Sequence, residues 1–217
     1  MRSGFIWTFI FVALVVASSS WAQSGYNQRH QAGVRLGVWS NRGDASPLSD
    51  STDNFKSNIK DECFYFEGYY ARRIFQPMMI EGALGIVNRG SVTFLENEIE
   101  NAGNLLVYTI LVKAKLYPLA SLKIRLQPYL TLGGGFYYGR RTVQFTTNST
   151  YYEYYGEQTA SDFDFVFGGG IDWPFSSVLG LEASVKYMSI GFSSSLLTVR
   201  NYDALAICIG LKYIYKL

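Results

Sequence analysis

Eight short segments of this chain alternate apolar and polar residues, and the joints between them are alternately long and short. Residues 162–173 show the alternation best. Phe163, Phe165, Phe167, Ile171 and Trp173 fall on one face, while Asp162, Asp164, Gly168, Gly170 and Asp172 fall on the other. A period of two marks a strand with one oily face and one wet face. Here the wet face carries charge and the oily face carries aromatics. A closed barrel in lipid, apolar outside and polar inside, satisfies both faces. A soluble barrel of the lipocalin type needs the opposite orientation, so every face assignment below rests on the membrane reading.

The strands are expected at 32–40, 63–72, 78–88, 105–117, 128–145, 162–173, 178–189 and 202–215. Val34, Leu36 and Val38 then face out, with Arg35 and Trp39 inside. Phe64, Phe66 and Tyr70 lie outside and Glu67 inside; Ile80, Leu84 and Ile86 outside and Glu81 inside. The fourth strand exposes Leu106, Tyr108, Ile110, Val112 and Leu116, and turns Thr109, Lys113 and Lys115 inward. The last two strands point Glu182, Ser184, Lys186 and Lys212 inward.

The joints at 73–77, 118–127 and 174–177 are turn-like, whereas those at 41–62, 89–104, 146–161 and 190–201 are long and polar. A barrel inserted through one face of a membrane alternates this way, with short periplasmic turns and long external loops. The triplets Gly133-Gly134-Gly135 and Gly168-Gly169-Gly170 fall at similar depth if the fifth and sixth strands pair. They leave room for bulky neighbours in a narrow barrel. Neither opens a helix in a phosphate-binding context.

Arg2, the apolar run 5–17 and Ser20-Trp21-Ala22 read as a signal peptide over residues 1–22. The mature chain then starts at Gln23, and residues 23–217 form one barrel domain. The 17 Tyr, 15 Phe and 21 Gly against 5 Pro favour strands over helices. A net charge of +2 points to no nucleic-acid partner. Cys63 and Cys208 form no disulfide framework.

The signal peptide, the eight amphipathic strands, "PYLTLGGGFYYG", "FVFGGGIDWPF" and the final "GLKYIYKL" resemble the small eight-stranded outer-membrane β-barrel superfamily. That superfamily includes the OmpA transmembrane domain and the OmpX and OmpW groups. The resemblance implies an all-β, eight-stranded antiparallel up-and-down transmembrane β-barrel in the bacterial outer membrane, in contact with its lipid. It also implies a C-terminal assembly signal read by the barrel-insertion machinery, here Gly210, Tyr213, Tyr215 and Leu217. The chain departs from that pattern in ending on Leu217 and not Phe or Trp.

The inward set holds Arg35, Lys113, Lys115, Lys186 and Lys212 against Glu67, Glu81, Asp164, Asp172 and Glu182. Charges this mixed are expected to pair, since lone charges in a low-dielectric interior are costly. Eight strands leave an interior that side chains fill. The expectation is a plugged polar core without enzymatic activity, with a structural or surface-interaction role through long external loops. The alternative is a narrow OmpW-like conduit for small solutes. Catalysis is disfavoured because a nucleophile needs a base of near-neutral pKa, and the chain's one histidine, His30, is expected as a solvated tail residue. No Cys/His cluster has metal-ligand spacing, and no cofactor is implied. Tyr151, Tyr152, Tyr154 and Tyr155 crowd the third long loop, where tyrosines suit recognition of an extracellular protein or glycan. An extended hairpin is the plainer account of that stretch.

Overall fold

The alternation closes a sheet on itself. The computed structural model describes residues 29–44, 55–94, 99–122, 125–147, 152–196 and 199–216. Its strands are β1 (Arg29–Asn41), β2 (Phe55–Ile59), β3 (Glu62–Phe75), β4 (Met78–Phe94), β5 (Ile99–Leu116), β6 (Gln127–Thr147), β7 (Tyr152–Pro174), β8 (Leu179–Met188), β9 (Gly191–Leu196), β10 (Val199–Asn201) and β11 (Ala204–Lys216). Eight of them, β1, β3 to β8 and β11, form the antiparallel barrel. β4 pairs with β5, which closes the ring, and β1 pairs with β11 in continuous register from Arg29↔Lys216 to Asn41↔Ala204. Closure leaves these strands no edge.

The faces follow the alternation. Val34, Leu84, Val112, Leu132, Phe163 and Ile209 are among the exposed apolar residues of the outer wall, and Phe163 is 74% exposed. Arg35, Glu67, Glu81, Lys113, Lys115, Glu182 and Lys186 are buried inside. The glycine triplets lie at neighbouring depths on β6 and β7, Gly133 opposite Val166 and Gly168 opposite Thr131. At Gly170 an added Cβ would lie 2.3 Å from the Ala183 carbonyl oxygen and 2.6 Å from the Tyr129 hydroxyl, so the missing side chain makes room for both the neighbouring strand and that ring.

The long joints are largely strand. The 146–161 joint is mostly hairpin: β6 and β7 stay in register up to Thr147↔Tyr152. The 89–104 joint likewise continues as β4 and β5, and the 41–62 joint contains β2, paired to β4. Polar side chains on both faces hide a strand from a search for amphipathic alternation, although backbone pairing continues without any apolar stripe. The 190–201 joint holds β9 and β10, which form their own two-stranded sheet. His30 is not a solvated tail residue. It lies within β1, is buried, meets the Tyr70 hydroxyl through Nδ1 at 2.5 Å and stacks on the Tyr215 ring.

Candidate functional site

Inward positions of the eight strands meet in a lumen with two layers. Towards the short-turn end it is charged; towards the long-hairpin end it is apolar.

Arg35 stands at the centre of the charged layer. Nε donates to Glu182 Oε1 at 3.2 Å. Nη1 donates to Glu67 Oε1 at 2.5 Å and to Glu81 Oε1 at 2.8 Å. Nη2 donates to Glu81 Oε2 at 2.6 Å and to Glu182 Oε2 at 3.1 Å. A guanidinium has five N–H donors, so all of them are used on three carboxylates. The guanidinium carbon also lies 3.7 Å from the centre of the Tyr69 ring. Space for this side chain comes from Gly210 of β11, directly across the ladder, where an added Cβ would sit 2.9 Å from Arg35 Cγ.

The lysines complete a lattice. Lys113 reaches Glu81 at 2.8 Å and Glu67 at 3.6 Å. Lys115 reaches Glu182 at 3.0 Å and Glu81 at 3.4 Å, and Lys186 pairs with Glu67. Nearer the short turns, Lys212 pairs with Asp172 at 2.6 Å, and Tyr117 donates to the same Asp172 oxygen at 2.6 Å. Tyr65 donates to Glu67 at 2.7 Å, Tyr69 to Glu182 at 2.9 Å, and Tyr129 also donates to Glu182. Buried charge is tolerated when it is paired and hydrogen-bonded; every charge here has an opposite partner, and Asp172 Oδ1 is the one carboxylate oxygen of the lattice without a hydrogen bond among the described residues.

Of the ten sequence-derived interior charges, nine meet in this lattice. Asp164 does not. It sits higher on β7, accepting Ser189 Oγ at 2.9 Å and the Phe165 amide at 2.7 Å. With Asp162, which accepts the Gly191 amide at 3.0 Å, it fastens the chain where β8 leads into β9.

The upper layer departs from the expected polar interior. Trp39, Val87, Leu105, Val107, Leu111, Tyr137, Val166 and Met188 line it. Ile190, Phe192, Leu196 and Tyr202 come from around β9 and β10 and pack against it, so that hairpin turns its apolar side chains into the mouth. The Phe192 and Tyr202 rings lie 5.1 Å apart, and the Tyr202 hydroxyl donates to the Leu196 carbonyl at 2.8 Å. Burial pushes the Tyr202 phenol up. Asp203 anchors the base, accepting from Tyr187 at 2.6 Å and from the Ile190 amide at 2.8 Å. Arg89, buried, donates to Asn41 Oδ1 at 2.8 Å and lies 5.8 Å from the ring centres of both Trp39 and Tyr202. The run GFSSSL carries only a weak apolar signal, and nothing in its spacing distinguishes an outer loop from an inward-folded one.

The remaining sequence-derived residues fall at the two ends. Tyr152, Tyr154 and Tyr155 are on β7 opposite Thr147, Phe145 and Gln144, so they belong to a strand and not a loop; Tyr151 lies outside the described residues. Tyr213 and Tyr215 stack on each other at 5.7 Å on the outer wall, and Leu217 lies outside the described residues. Cys63 and Cys208 are buried free thiols. Among the described residues no group of three or more His, Cys, Asp or Glu is placed to hold a metal ion.

Comparison with known proteins bears on the whole barrel. The family profile described as outer membrane protein beta-barrel domain matches residues 9–214. OprG, an outer membrane protein from Pseudomonas aeruginosa, superposes with a TM-score of 0.56 at 13% identity, covering 88% of this chain and 97% of that one. A major outer membrane protein from Thermus thermophilus gives 0.55 at 10% identity, covering 88% and 100%. Neisserial surface protein A gives 0.52 at 15% identity, covering 88% and 99%. At such identities the likeness is one of fold. No curated protein matches the chain in sequence.

Proposed function

The chain belongs to the outer membrane protein beta-barrel domain family and lies in the bacterial outer membrane; on that premise we propose that it is a non-enzymatic, plugged barrel that strengthens the envelope and meets the outside through its long hairpins. Residues 1–22 are removed as a signal peptide, the short turns face the periplasm, and the β6–β7 hairpin stands outside. The observation that carries this reading is the double obstruction of the lumen. A lattice centred on Arg35 crosses one half, and an apolar layer under the β9–β10 hairpin fills the other. An ion would have to break a paired charge and then cross an oily layer.

The deciding experiment is conductance of the purified, refolded barrel in planar lipid bilayers. The plugged reading expects no discrete channel steps; reproducible steps abolish it. A second reading, a narrow conduit for small apolar solutes, draws support from the apolar lining of the upper layer. It expects uptake of such solutes into barrel-containing vesicles without ion conductance.

Tyr151, Tyr152, Tyr154 and Tyr155 are proposed to contact an extracellular protein or glycan, because tyrosines give contact area at low entropic cost. Replacing all four with Ser should abolish binding to the partner surface while leaving the barrel folded. Gly210, Tyr213, Tyr215 and Leu217 are proposed as the signal for the barrel-insertion machinery. Tyr213→Ser with Tyr215→Ser should lower the amount reaching the outer membrane. The absence of catalysis is supported by His30, whose Nδ1 is engaged by Tyr70 and whose ring is covered by Tyr215.

A further inference from the structure

Arg89 sits in the oily half of the lumen, 1% exposed. The pairings Trp39↔Cys63 and Tyr65↔Val87 carry Trp39, Cys63 and Arg89 to one level of the barrel. Arg89 Nη2 donates to Asn41 Oδ1 at 2.8 Å, which fixes the side chain, while Nε and Nη1 find no acceptor. No carboxylate among the described residues forms an ion pair with it. Its titratable neighbours are Cys63, Tyr202 and Asp61. Asp61 is exposed, the Cys63 thiol faces the Lys60 carbonyl at 3.6 Å, and the Tyr202 hydroxyl is spent on Leu196. A second buried donor stands beside Arg89. The Trp39 indole is fully buried, its Nε1–H has no acceptor, and its ring centre lies 5.8 Å from the guanidinium carbon. That spacing lets one ion touch both groups.

Unfilled buried donors are rare, and a buried charge without a counter-charge costs more than an unfilled hydrogen bond. Arginine cannot shed its proton to escape that cost. The lattice below has no negative charge to lend, since five cations (Arg35, Lys113, Lys115, Lys186 and Lys212) share four carboxylates (Glu67, Glu81, Asp172 and Glu182). Water would fill the donors and leave the charge unmatched; an anion does both. The surroundings also bound its kind. Val87 and Leu105 offer no side-chain donor, so a multivalent anion would lose more hydration than Arg89 and Trp39 restore.

We propose that the upper lumen holds a small monovalent inorganic anion of the halide class, accepting from the Arg89 guanidinium and the Trp39 indole N–H beneath the β9–β10 hairpin. The ion is a resident counter-charge and not a transported solute, so the site needs only the folded barrel and is independent of whether the lumen conducts.

The test uses residues 23–217 refolded in detergent in halide-free sodium gluconate, with sodium chloride exchanged in at constant sodium concentration. Trp39 and Trp173 are the tryptophans of that segment, and Trp173→Phe assigns their two indole N–H signals by proton–nitrogen NMR. The Trp39 signal should move saturably, with half-saturation below about 100 mM chloride, and bromide should act alike. The Trp173 signal, on the outer wall, should not follow. Arg89→Gln should weaken binding at least about tenfold. Chlorine NMR line broadening gives the same titration without tryptophan, so Trp39→Phe, which removes the indole donor and should also weaken binding, serves if Arg89→Gln does not fold. Heat-modifiable gel migration reports folding for both. Four results overturn the proposal: identical Trp39 signals in gluconate and chloride, which would leave water on the donors; a shift linear in salt; a saturable shift shared equally by Trp173; or wild-type binding by a folded variant.

Discussion

Replacing Arg35 with Met tests the lattice at its centre. The change keeps roughly the side-chain length and removes five charge-assisted hydrogen bonds, which lie between 2.5 and 3.2 Å. Two features bound the cost. Lys113, Lys115 and Lys186 remain to balance Glu67, Glu81 and Glu182, so no net negative charge is stranded. Five of the six carboxylate oxygens also keep a close donor from a lysine or tyrosine; Glu67 Oε1 keeps only Lys113 at 3.6 Å. The loss should therefore fall at the low end of that for breaking a buried ion pair, about 3 kcal/mol. Arg35→Lys keeps the charge with three donors for five and should recover about half of that loss. The assay is reversible urea unfolding of the barrel in lipid vesicles, followed by tryptophan fluorescence and extrapolated linearly. A cost below about 1 kcal/mol for Arg35→Met would refute the view that the lattice holds the barrel together.

The remaining predictions use the same unfolding assay unless stated. Gly170→Ala brings a Cβ within 2.3 Å of the Ala183 carbonyl oxygen and 2.6 Å of the Tyr129 hydroxyl and should cost about 1–3 kcal/mol, whereas Gly68→Ala, with nothing within 4 Å, should stay within about 0.5 kcal/mol. Val112→Arg puts a charge on the outer wall and should cost about 2–4 kcal/mol if Val112 sits near the bilayer midplane; a neutral result there would mean that face does not meet lipid. Phe192→Ala removes packing under the β9–β10 hairpin and should loosen that hairpin before the barrel. Limited proteolysis should then cut within 190–201 while the barrel fragment still migrates as folded.

The barrel itself was legible because alternation is a strong signal wherever one face meets lipid. Phe163, Phe165 and Phe167 beside Asp162 and Asp164 leave one orientation open to a membrane chain. The same logic placed Arg35, Glu67 and Lys113 inside. It failed where lipid no longer sorts residues. Towards their hairpin β6 and β7 lose the apolar stripe, so Tyr152 to Ser161 reads as loop in the sequence while its backbone remains in register with β6. Inside the barrel the alternation says only "inward", so Leu105, Val107 and Leu111 were recognised as strand residues without revealing that the upper lumen is oily. The inward fold of β9 and β10 depends on Asp162, Asp164 and Asp203 receiving particular amides and hydroxyls, contacts between segments far apart in the chain. His30 escaped for the same reason: Tyr70 and Tyr215, which cover it, come from the second and last strands of the barrel.

The seam between β1 and β11 has a temporal meaning. It joins the first and last described strands, so its thirteen residue pairs must wait until nearly the whole chain has emerged. Contacts of such long sequence separation are slow to form. The seam is also where an error would be most damaging. Slipping β1 by one residue would turn Arg35 out to face hydrocarbon and put Leu36 in the middle of the carboxylates. The native register brings Arg35 to its five acceptors, so a closure misaligned by one residue would carry the cost of a stranded charge that the native one does not.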